Sequence, residues 1–149
     1  HVSFDIDEHP LGMSLWETPS ASEYDQLRIL AYPKTDVILV CFAVDDYWSF
    51  EKIVTRWLPE IKKFSPQSVP MLIGTKSDKR QGDNNRRKQL EFVPREVAEC
   101  MAKHQNFSLC HETSALTGDV SDRDHMFALM AKCGCIARRQ QRKKFCILG

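Results

Sequence analysis

A short apolar run that ends abruptly in a polar turn limits the folds open to this chain. Residues 69–73 are Val-Pro-Met-Leu-Ile, and residues 74–78 are Gly-Thr-Lys-Ser-Asp. Apolar runs of this length are typical of buried strands in parallel sheets. In open α/β sheets, ligands bind at the carboxyl ends of such strands. The stretch therefore predicts an α/β domain with residues 74–78 at a binding edge.

The turn after this strand suits a guanine base. The carboxylate of Asp78 can accept hydrogen bonds from two adjacent N–H groups on one edge of guanine. The methylenes of Lys76 are apolar and can lie along the plane of the base. A solvated loop after a strand explains the same residues, so the rest of the chain has to decide.

The remaining segments predict helices and further strands around this one. Residues 2–7 and 11–15 alternate as a hairpin does, and residues 36–44 fit a central strand. Asp45 or Asp46 is expected to cap the next helix, which has one buried stripe at helical spacing. The stripe contains Phe50, Ile53, Val54, Trp57, Leu58 and Ile61.

Three more helices and an edge strand are predicted from the same kinds of pattern. The helices cover residues 22–32, a segment that begins at Pro94, and residues 119–139, while residues 106–111 form the edge strand. Their expected inward residues are Tyr24, Leu27 and Leu30, then Val97, Ala98 and Met101, then Met126, Leu129, Met130 and Cys133.

Composition excludes several classes of protein. A net charge of +1 gives no general attraction to nucleic acid. No apolar run reaches the roughly 18 residues of a membrane-spanning helix, and the polar, acidic residues 1–8 are not a signal peptide. The six cysteines lack C-x-x-C spacing and are expected to be reduced cytosolic thiols. His104 and His111 have no Ser or Cys partner at a catalytic spacing, which argues against an unrelated doubly wound enzyme.

Several motifs resemble, in order and spacing, the Rho family of Ras-superfamily small GTPases. The guanine motif is of the Rac-like Thr-Lys type. The resemblance runs from about residue 1 to Gly149, and it implies an α/β Ras-like P-loop NTPase sheet with flanking helices, missing the first strand and first helix. The motifs are Trp16-Glu17-Thr18, Tyr24-Asp25-Gln26-Leu27-Arg28, residues 32–42, Trp57-Leu58-Pro59-Glu60-Ile61, Thr75-Lys76-Ser77-Asp78 and Glu112-Thr113-Ser114-Ala115-Leu116.

The resemblance implies a guanine-nucleotide site at two strand ends, with GTP or GDP and Mg²⁺ as the cofactor. In the family, the second loop presents the backbone N–H of the residue at Ala115 to guanine O6. We therefore expect two loop tips, distant in sequence, to converge as the walls of a purine slot. The implied binding residues are Thr75, Lys76, Asp78, Ser114, Ala115 and Leu116.

The family's phosphate-binding loop and first switch should precede residue 1. The chain contains no Gly-x-x-x-x-Gly-Lys-Ser/Thr motif. In the family the first strand lies in the middle of the sheet, so we expect two unpaired strand edges and a gap. The chain is then either part of a longer Rho-like protein or a poorly stable truncated product, with guanine-nucleotide affinity of about micromolar to millimolar.

The second switch of the family has the pattern Asp-x-x-Gly-Gln. The Asp holds Mg²⁺ through water, the Gly senses the γ-phosphate, and the Gln orients the attacking water. Here Glu17, Ser20 and Ala21 stand at those positions, with Thr18 and Pro19 between them. Only Glu17 is left for a weak, water-mediated contact with Mg²⁺. Hydrolysis is predicted to be disabled, as in the Rnd subgroup, although a loop under no catalytic constraint explains the same residues.

A basic segment precedes a cysteine near Gly149. Five basic residues lie in residues 138–144, and Cys146 follows them. In the family this layout implies prenylation of the cysteine together with polybasic membrane contact. The Gly at the end is an unusual choice for a prenylation box, and a plain solvated tail is the alternative. We divide the chain into a partial GTPase domain, 1–137, with a short insert near 79–92, and a tail, 138–149.

Two functional hypotheses follow. The first is a Rho-type small GTP-binding signalling protein, deficient in hydrolysis, that signals to the actin cytoskeleton. Its implied partners are guanine nucleotide, the effector and regulator proteins of Rho GTPases, and a membrane surface reached through the basic tail. Its implied location is the cytoplasm, at the cytoplasmic face of the plasma membrane. The alternative is a truncated pseudo-GTPase interaction module with little or no nucleotide binding.

Overall fold

A computed structural model of the chain describes residues 2–6, 9–80, 92–117, 126, 128–131 and 142–148. Most of the insert predicted near 79–92 lies outside these residues. So do Cys133 and much of the predicted last helix, of which residues 126 and 128–131 are helical.

The described elements alternate between strands and helices. In chain order they are β1 Val2–Ile6, β2 His9–Glu17, a 3-10 turn Ser22–Tyr24, α1 Asp25–Ile29, β3 Val37–Ala43, α2 Tyr47–Lys52, a π-helical turn Ile53–Trp57, α3 Leu58–Phe64, β4 Val69–Thr75, a second 3-10 turn Ser77–Arg80, α4 Arg95–His104, β5 Cys110–Glu112 and β6 Arg142–Leu148.

The described strands form one sheet in the order β1-β2-β6-β3-β4-β5. β1 and β2 are an antiparallel hairpin, and every other neighbouring pair is parallel. The predicted α/β sheet with flanking helices is confirmed, as are the hairpin and the central strand. β5 is an edge strand as predicted, but it is only three residues long.

Part of the predicted tail occupies the middle of this sheet. β6 pairs in parallel with β2 over residues 12–17 and with β3 over residues 37–40. In the family order this position belongs to the first strand, so the expected gap with two unpaired edges is wrong for this structure. The tail was predicted from its basic residues, and the apolar run of residues 145–148 was not interpreted as a strand.

Two clusters of buried side chains cover the two faces of the sheet. Alternate residues of β3 enter different clusters, Ile38 and Val40 on one face and Val37 and Leu39 on the other. Burial on both faces explains why β3 is almost uniformly apolar. Each fully buried Val, Ile or Leu contributes about 1.5–3 kcal/mol.

The predicted helix boundaries hold better than the predicted helix faces. Asp46 caps α2 by accepting hydrogen bonds from the amides of residues 48 and 49, and Ser65 ends α3. Pro94 immediately precedes α4. No helix among the described residues is long and apolar enough to cross a membrane.

Five residues predicted to face inward are exposed, among them Tyr24 at 42%. In the first helix Leu27 and Leu30 are 61% and 71% exposed, whereas Arg28 is buried. Val54 and Val97 are also exposed. Val54 lies in a π-helical turn, which has more residues per turn than an α-helix, and it falls outside the buried face. Four other members of the predicted stripe, Ile53, Trp57, Leu58 and Ile61, are buried as predicted. On α4, Ala98 is buried as predicted, together with Ala102, and Met101 packs against the same cluster.

Candidate functional site

Two loop tips meet at the carboxyl edge of the sheet. β4 and β5 are parallel neighbours, so their carboxyl ends lie side by side. Beyond the strands, the amide of Ser77 donates to the carbonyl of Thr113 at 3.2 Å. The hydroxyl of Ser114 donates to a carboxylate oxygen of Asp78. The predicted convergence of the two loops is confirmed.

The first loop reverses direction at Lys76. This residue has φ 61°, in the left-handed region that non-glycine residues seldom adopt. The reversal starts the 3-10 turn, in which the amide of Lys79 donates to the carbonyl of Lys76 at 3.1 Å. The side chain of Lys76 stays exposed, and Asp78 is half-buried. Backbone strain of this kind is frequent at ligand-binding loops.

Ser114 organises the second loop from behind its tip. Its hydroxyl oxygen accepts from the amides of Leu116 and Thr117, at 3.2 and 3.4 Å. Ser114 itself is buried, whereas Ala115 and Leu116 are exposed. Among the predicted site residues, Ser114 is therefore placed to hold the loop, and Ala115 and Leu116 are placed to meet a ligand.

A partly buried ion pair joins the two loops. Arg80 donates to both carboxylate oxygens of Glu112, at 2.7 and 3.0 Å, and to the carbonyl of Val93 at 2.7 Å. Arg95 donates to the same carboxylate at 2.9 Å. A bidentate pair of this type fixes the relative orientation of the two side chains as well as neutralising their charges. The sequence did not predict the pairing of Arg80 with Glu112, although each lies within two residues of Asp78 or Ser114.

Gly74 permits the close approach of this ion pair. A Cβ atom at Gly74 would lie 3.0 Å from Cγ of Glu112 and 3.2 Å from side-chain atoms of Phe42 and Val44. These distances are tighter than most Cβ contacts, so a methyl group here would require Glu112, Phe42 or Val44 to shift in a close-packed interior. The glycine that precedes the Thr-Lys-Ser-Asp motif is therefore needed for packing.

The end of β3 contributes a carboxylate to the same corner. Asp45 forms an ion pair with Lys79, and this hydrogen bond holds the pKa of Asp45 below its usual value. Oδ1 of Asp45 is buried and has no hydrogen-bond partner in the part of the chain that the structure describes. Thr75 is tied to β3 as well, since its hydroxyl donates to the carbonyl of Phe42 at 3.0 Å.

The loop after β2, which resembles the second switch, has exposed motif residues and a hydrogen bond to β6. Glu17, Ser20 and Ala21 are exposed. The hydroxyl of Thr18 donates to the carbonyl of Ile147 in β6 at 2.7 Å. Among the described residues, no group of three or more His, Cys, Asp or Glu side chains could hold a metal ion. The predicted metal contact of Glu17 therefore gains no further protein ligand from these residues.

Arg28 anchors this loop to α3. Its side chain is fully buried and donates to both carboxylate oxygens of Glu60, at 2.7 and 2.9 Å, and to the carbonyl of Pro19 at 3.0 Å. Its guanidinium also lies 5.0 Å from the ring centre of Trp57. The pattern of apolar residues could not predict this anchor, because its core residue is charged.

Electrostatics keeps the anchor charged. Hydrogen bonding to Glu60 raises the pKa of Arg28 above its usual value. Burial raises the pKa of Glu60, but hydrogen bonds from Arg28 and Tyr32 outweigh burial, and the net pKa lies below its usual 4.5. Burial, reinforced by Glu60, raises the pKa of Tyr32, so its hydroxyl remains a donor at neutral pH.

Cys146, the predicted lipidation residue, lies within β6. Its relative exposure is 0%, and it packs in the same cluster as Trp57 and Val40. A transferase that needs the thiol could not reach it in this conformation.

The residues at the corner of β4 and β5 fit the base of a guanine nucleotide. Asp78 supplies acceptor oxygens, Lys76 supplies an exposed apolar stem, and the tip at Ala115 supplies exposed backbone. The chain offers no glycine-rich phosphate motif to go with them. The arrangement is therefore suited to recognising a purine edge.

Comparison with protein families agrees with this geometry. Residues 1–132 match the model of the Ras family. The match covers most of the chain, including both loops of the corner and the loop after β2. The chain therefore belongs to the Ras family of small GTP-binding proteins.

Proposed function

We propose that this protein is a Rho-type small GTP-binding signalling protein that recognises guanine but does not hydrolyse GTP. The observation that carries the proposal is the contact between Ser114 and Asp78. It joins two loops whose residue types suit a guanine edge, while the loop after β2 lacks the side chains that hydrolysis needs.

Guanine recognition depends on Asp78, Lys76 and Ala115. The Asp78 carboxylate accepts from the two N–H groups on one edge of guanine, the stem of Lys76 covers one face, and the backbone at Ala115 meets O6. The Arg80–Glu112 pair holds the two loops at a fixed separation. Fixed spacing favours selectivity, because a base with the wrong edge leaves polar groups unpaired.

The absence of hydrolysis follows from the loop after β2. Ala21 has only a methyl group and cannot orient a water molecule, and its carbonyl accepts from the amide of Tyr24 at 3.1 Å. The neighbouring carbonyl of Pro19 is held by Arg28. A loop without a catalytic group and tied to α3 cannot place water against a γ-phosphate.

A second function, the pseudo-GTPase interaction module, is favoured by the middle of the sheet. β6 occupies the position of the family's first strand, and the chain contains no phosphate motif. Phosphate contacts supply much of the binding energy in this family, through loop N–H groups, a lysine and Mg²⁺. Without them, this chain binds guanine nucleotides with a Kd of about micromolar to millimolar.

The surface around α1 suits the partners of a Rho-type protein. Tyr24, Leu27 and Leu30 form an exposed apolar group directly after the loop that resembles the second switch. Such groups mark protein contact sites, and we assign effector or regulator proteins to this one. The same proposal includes signalling to actin, a location at the cytoplasmic face of the plasma membrane, and prenylation of Cys146.

Titration calorimetry of the chain with GDP, GTP and ADP, each with Mg²⁺, tests the binding proposal. We expect weak binding of both guanine nucleotides and weaker binding of ADP. Asp78→Asn replaces an acceptor oxygen with a donor and should shift the preference from guanine to xanthine nucleotides. Glu51→Gln, an exposed change on α2, is the matched control. A nanomolar Kd would contradict the loss of phosphate contacts, and equal affinity for GDP and ADP would contradict the base site.

Single-turnover hydrolysis of GTP tests the catalytic part. We expect no release of phosphate above the uncatalysed rate at saturating nucleotide. Ala21→Gln restores the side chain that orients water, but Pro19 and Ser20 still distort the loop, so we expect no recovery. Measurable hydrolysis by the natural chain would refute this part without affecting guanine recognition.

A further inference from the structure

The middle strand β6 differs in composition from the strands that flank it. A strand in the middle of a parallel sheet is normally apolar along its whole length. β6 begins instead with the three charged residues Arg142, Lys143 and Lys144, and only then continues with four apolar residues.

The pairing of β6 divides at the same point. Residues 142–144 pair with β2, opposite residues 12–14, and have no second strand neighbour among the described residues. Residues 145–148 pair with β2 on one side up to Ile147 and with β3 on the other side. The strand is therefore held on both sides only along its apolar half, and its basic half is attached along one edge.

The apolar half is well packed. Cys146 and Leu148 are fully buried in the cluster on one face of the sheet, and Ile147 packs against the cluster on the other face. The carbonyl of Ile147 also accepts from the hydroxyl of Thr18. The two halves of β6 therefore differ in how they are held, and local opening would begin at the basic half, which has fewer contacts among the described residues.

We propose that the position between β2 and β3 is an exchangeable strand-binding site whose ligand is the chain's own tail. While β6 is inserted, the Cys146 thiol is withheld from solvent. When β6 leaves, the cysteine and the basic residues are presented together, and a slot with two strand edges opens. The two states compete, so anything that binds the free tail or the open slot shifts the balance.

The occupant is the tail of the same molecule. The segment has the apolar residues that the slot buries, and its register with β2 and β3 is continuous. The tail of a second copy could in principle fill the same slot, and this possibility is an outcome of the test.

Thiol alkylation of the full chain, followed by mass spectrometry, tests the proposal. Cys100 on α4 is exposed and reports the unprotected rate, and Cys110, half-buried on the far edge strand, reports changes elsewhere in the domain. With N-ethylmaleimide, Cys146 should react about 100-fold more slowly than Cys100. Reaction of the two at equal rates in the folded protein would overturn the proposal.

Exchange is tested by adding a synthetic peptide of residues 142–149 that carries Cys146→Ser. The peptide should compete for the slot and speed alkylation of Cys146 at least about tenfold at saturation, without changing the rate at Cys110. A control peptide with Ile147→Asp and Leu148→Asp should have no effect. No acceleration by saturating peptide would show that β6 is a permanent strand and would refute exchange.

A variant and a dilution series complete the test. Leu148→Asp in the full chain should expose Cys146 but leave the alkylation rate of Cys110 unchanged. Faster alkylation of both thiols would show that β6 cannot leave without unfolding the domain, against the proposal. Protection of Cys146 should not depend on protein concentration. Protection that is lost on dilution together with a dimer would assign the slot to the tail of a second copy instead.

Discussion

The two halves of the sheet's carboxyl edge differ in what holds them in place. At the corner of β4 and β5, polar side chains connect the loops to each other, through Ser114 with Asp78 and Arg80 with Glu112. At the end of β2, the loop is tied to the body of the domain, through Arg28 to α3 and Thr18 to β6. The first half leaves Lys76 and Ala115 exposed at its loop tips, whereas the second is hydrogen-bonded to α3 and β6.

In the proposed function, this difference separates base recognition from hydrolysis. Base recognition needs two loops at a fixed spacing, and buried hydrogen-bonded pairs can maintain that spacing. In the proposed function, hydrolysis would need a loop that places water, whereas the loop after β2 is anchored through Arg28 and has Ala21 at the position of the family's Gln. Four variants test the comparison, and their expected effects decrease from Arg28→Ala to Glu60→Gln.

Arg28→Ala should have the largest effect because it removes the anchor of the loop after β2. It leaves the carboxylate of Glu60 buried without its charged partner, and breaking a buried pair in this way costs about 3–5 kcal/mol. Urea unfolding measures the loss. Arg56→Ala is the control, because Arg56 is partly exposed and its pair with the exposed Asp25 should contribute far less to stability. Equal effects of the two substitutions would mean that Arg28 is not the anchor.

Gly74→Ala should damage the base corner. The added methyl group meets Glu112, Phe42 and Val44 at 3.0–3.2 Å, and overpacking of this kind costs about 1–3 kcal/mol. We also expect loss of any preference for GDP over ADP, because Glu112 is pushed out of register. Gly12→Ala, where nothing lies within 4 Å of the new Cβ, is the control in both measurements. Unchanged stability and selectivity would show that the corner tolerates displacement of Glu112.

Ser114→Ala should have a smaller effect on stability and a clear effect on selectivity. It removes the acceptor of two loop amides and the donor to Asp78, at a cost of about 1 kcal/mol. The loop tip then loses its fixed position, so guanine selectivity in calorimetry should fall. Ser108→Ala removes a comparable bond to the carbonyl of Pro70, away from the corner, and should leave selectivity unchanged. A loss of selectivity in both variants would point to a general effect of softening the fold.

Lowering the pH should gradually reduce the free energy of unfolding through Glu60, the partner of Arg28. The folded-state pKa of Glu60 lies below its usual 4.5, so its carboxylate stabilises the fold above pH 4.5. That contribution is lost as the pH falls through the folded-state pKa. Urea unfolding between about pH 5 and about pH 3 should show a shallower dependence on pH in Glu60→Gln than in the natural chain. An identical slope would mean that Glu60 does not contribute to acid sensitivity, and Glu51→Gln is the matched control.

The elements that the sequence predicted well are those set by local patterns. The apolar run of β3, the cap at Asp46 and the breaks at Ser65 and Pro94 each depend on neighbouring residues alone. The meeting of Asp78 and Ser114 was predictable because residues that follow parallel neighbouring strands lie at the same edge.

The failures have a common physical cause. Burial of Arg28 depends on Glu60, far away in sequence, and the position of β6 depends on an open place between β2 and β3. Hydrophobic patterning ranks residues by their own chemistry, so it favoured Leu27 over Arg28 for the core and left the basic tail in solvent. Neither the partner of a charge nor the vacancy in a sheet can be read from a local pattern.

The central claim is that the loops after β4 and β5 together form a guanine-selective corner. Amide chemical shifts in a ¹⁵N-labelled chain, titrated separately with GMP and AMP, test it most directly. The account predicts saturable shifts with GMP at residues 76–79 and 114–117, little change at residues 17–21, and much weaker shifts with AMP. Shifts of equal size with both nucleotides, or none at either loop, would contradict it.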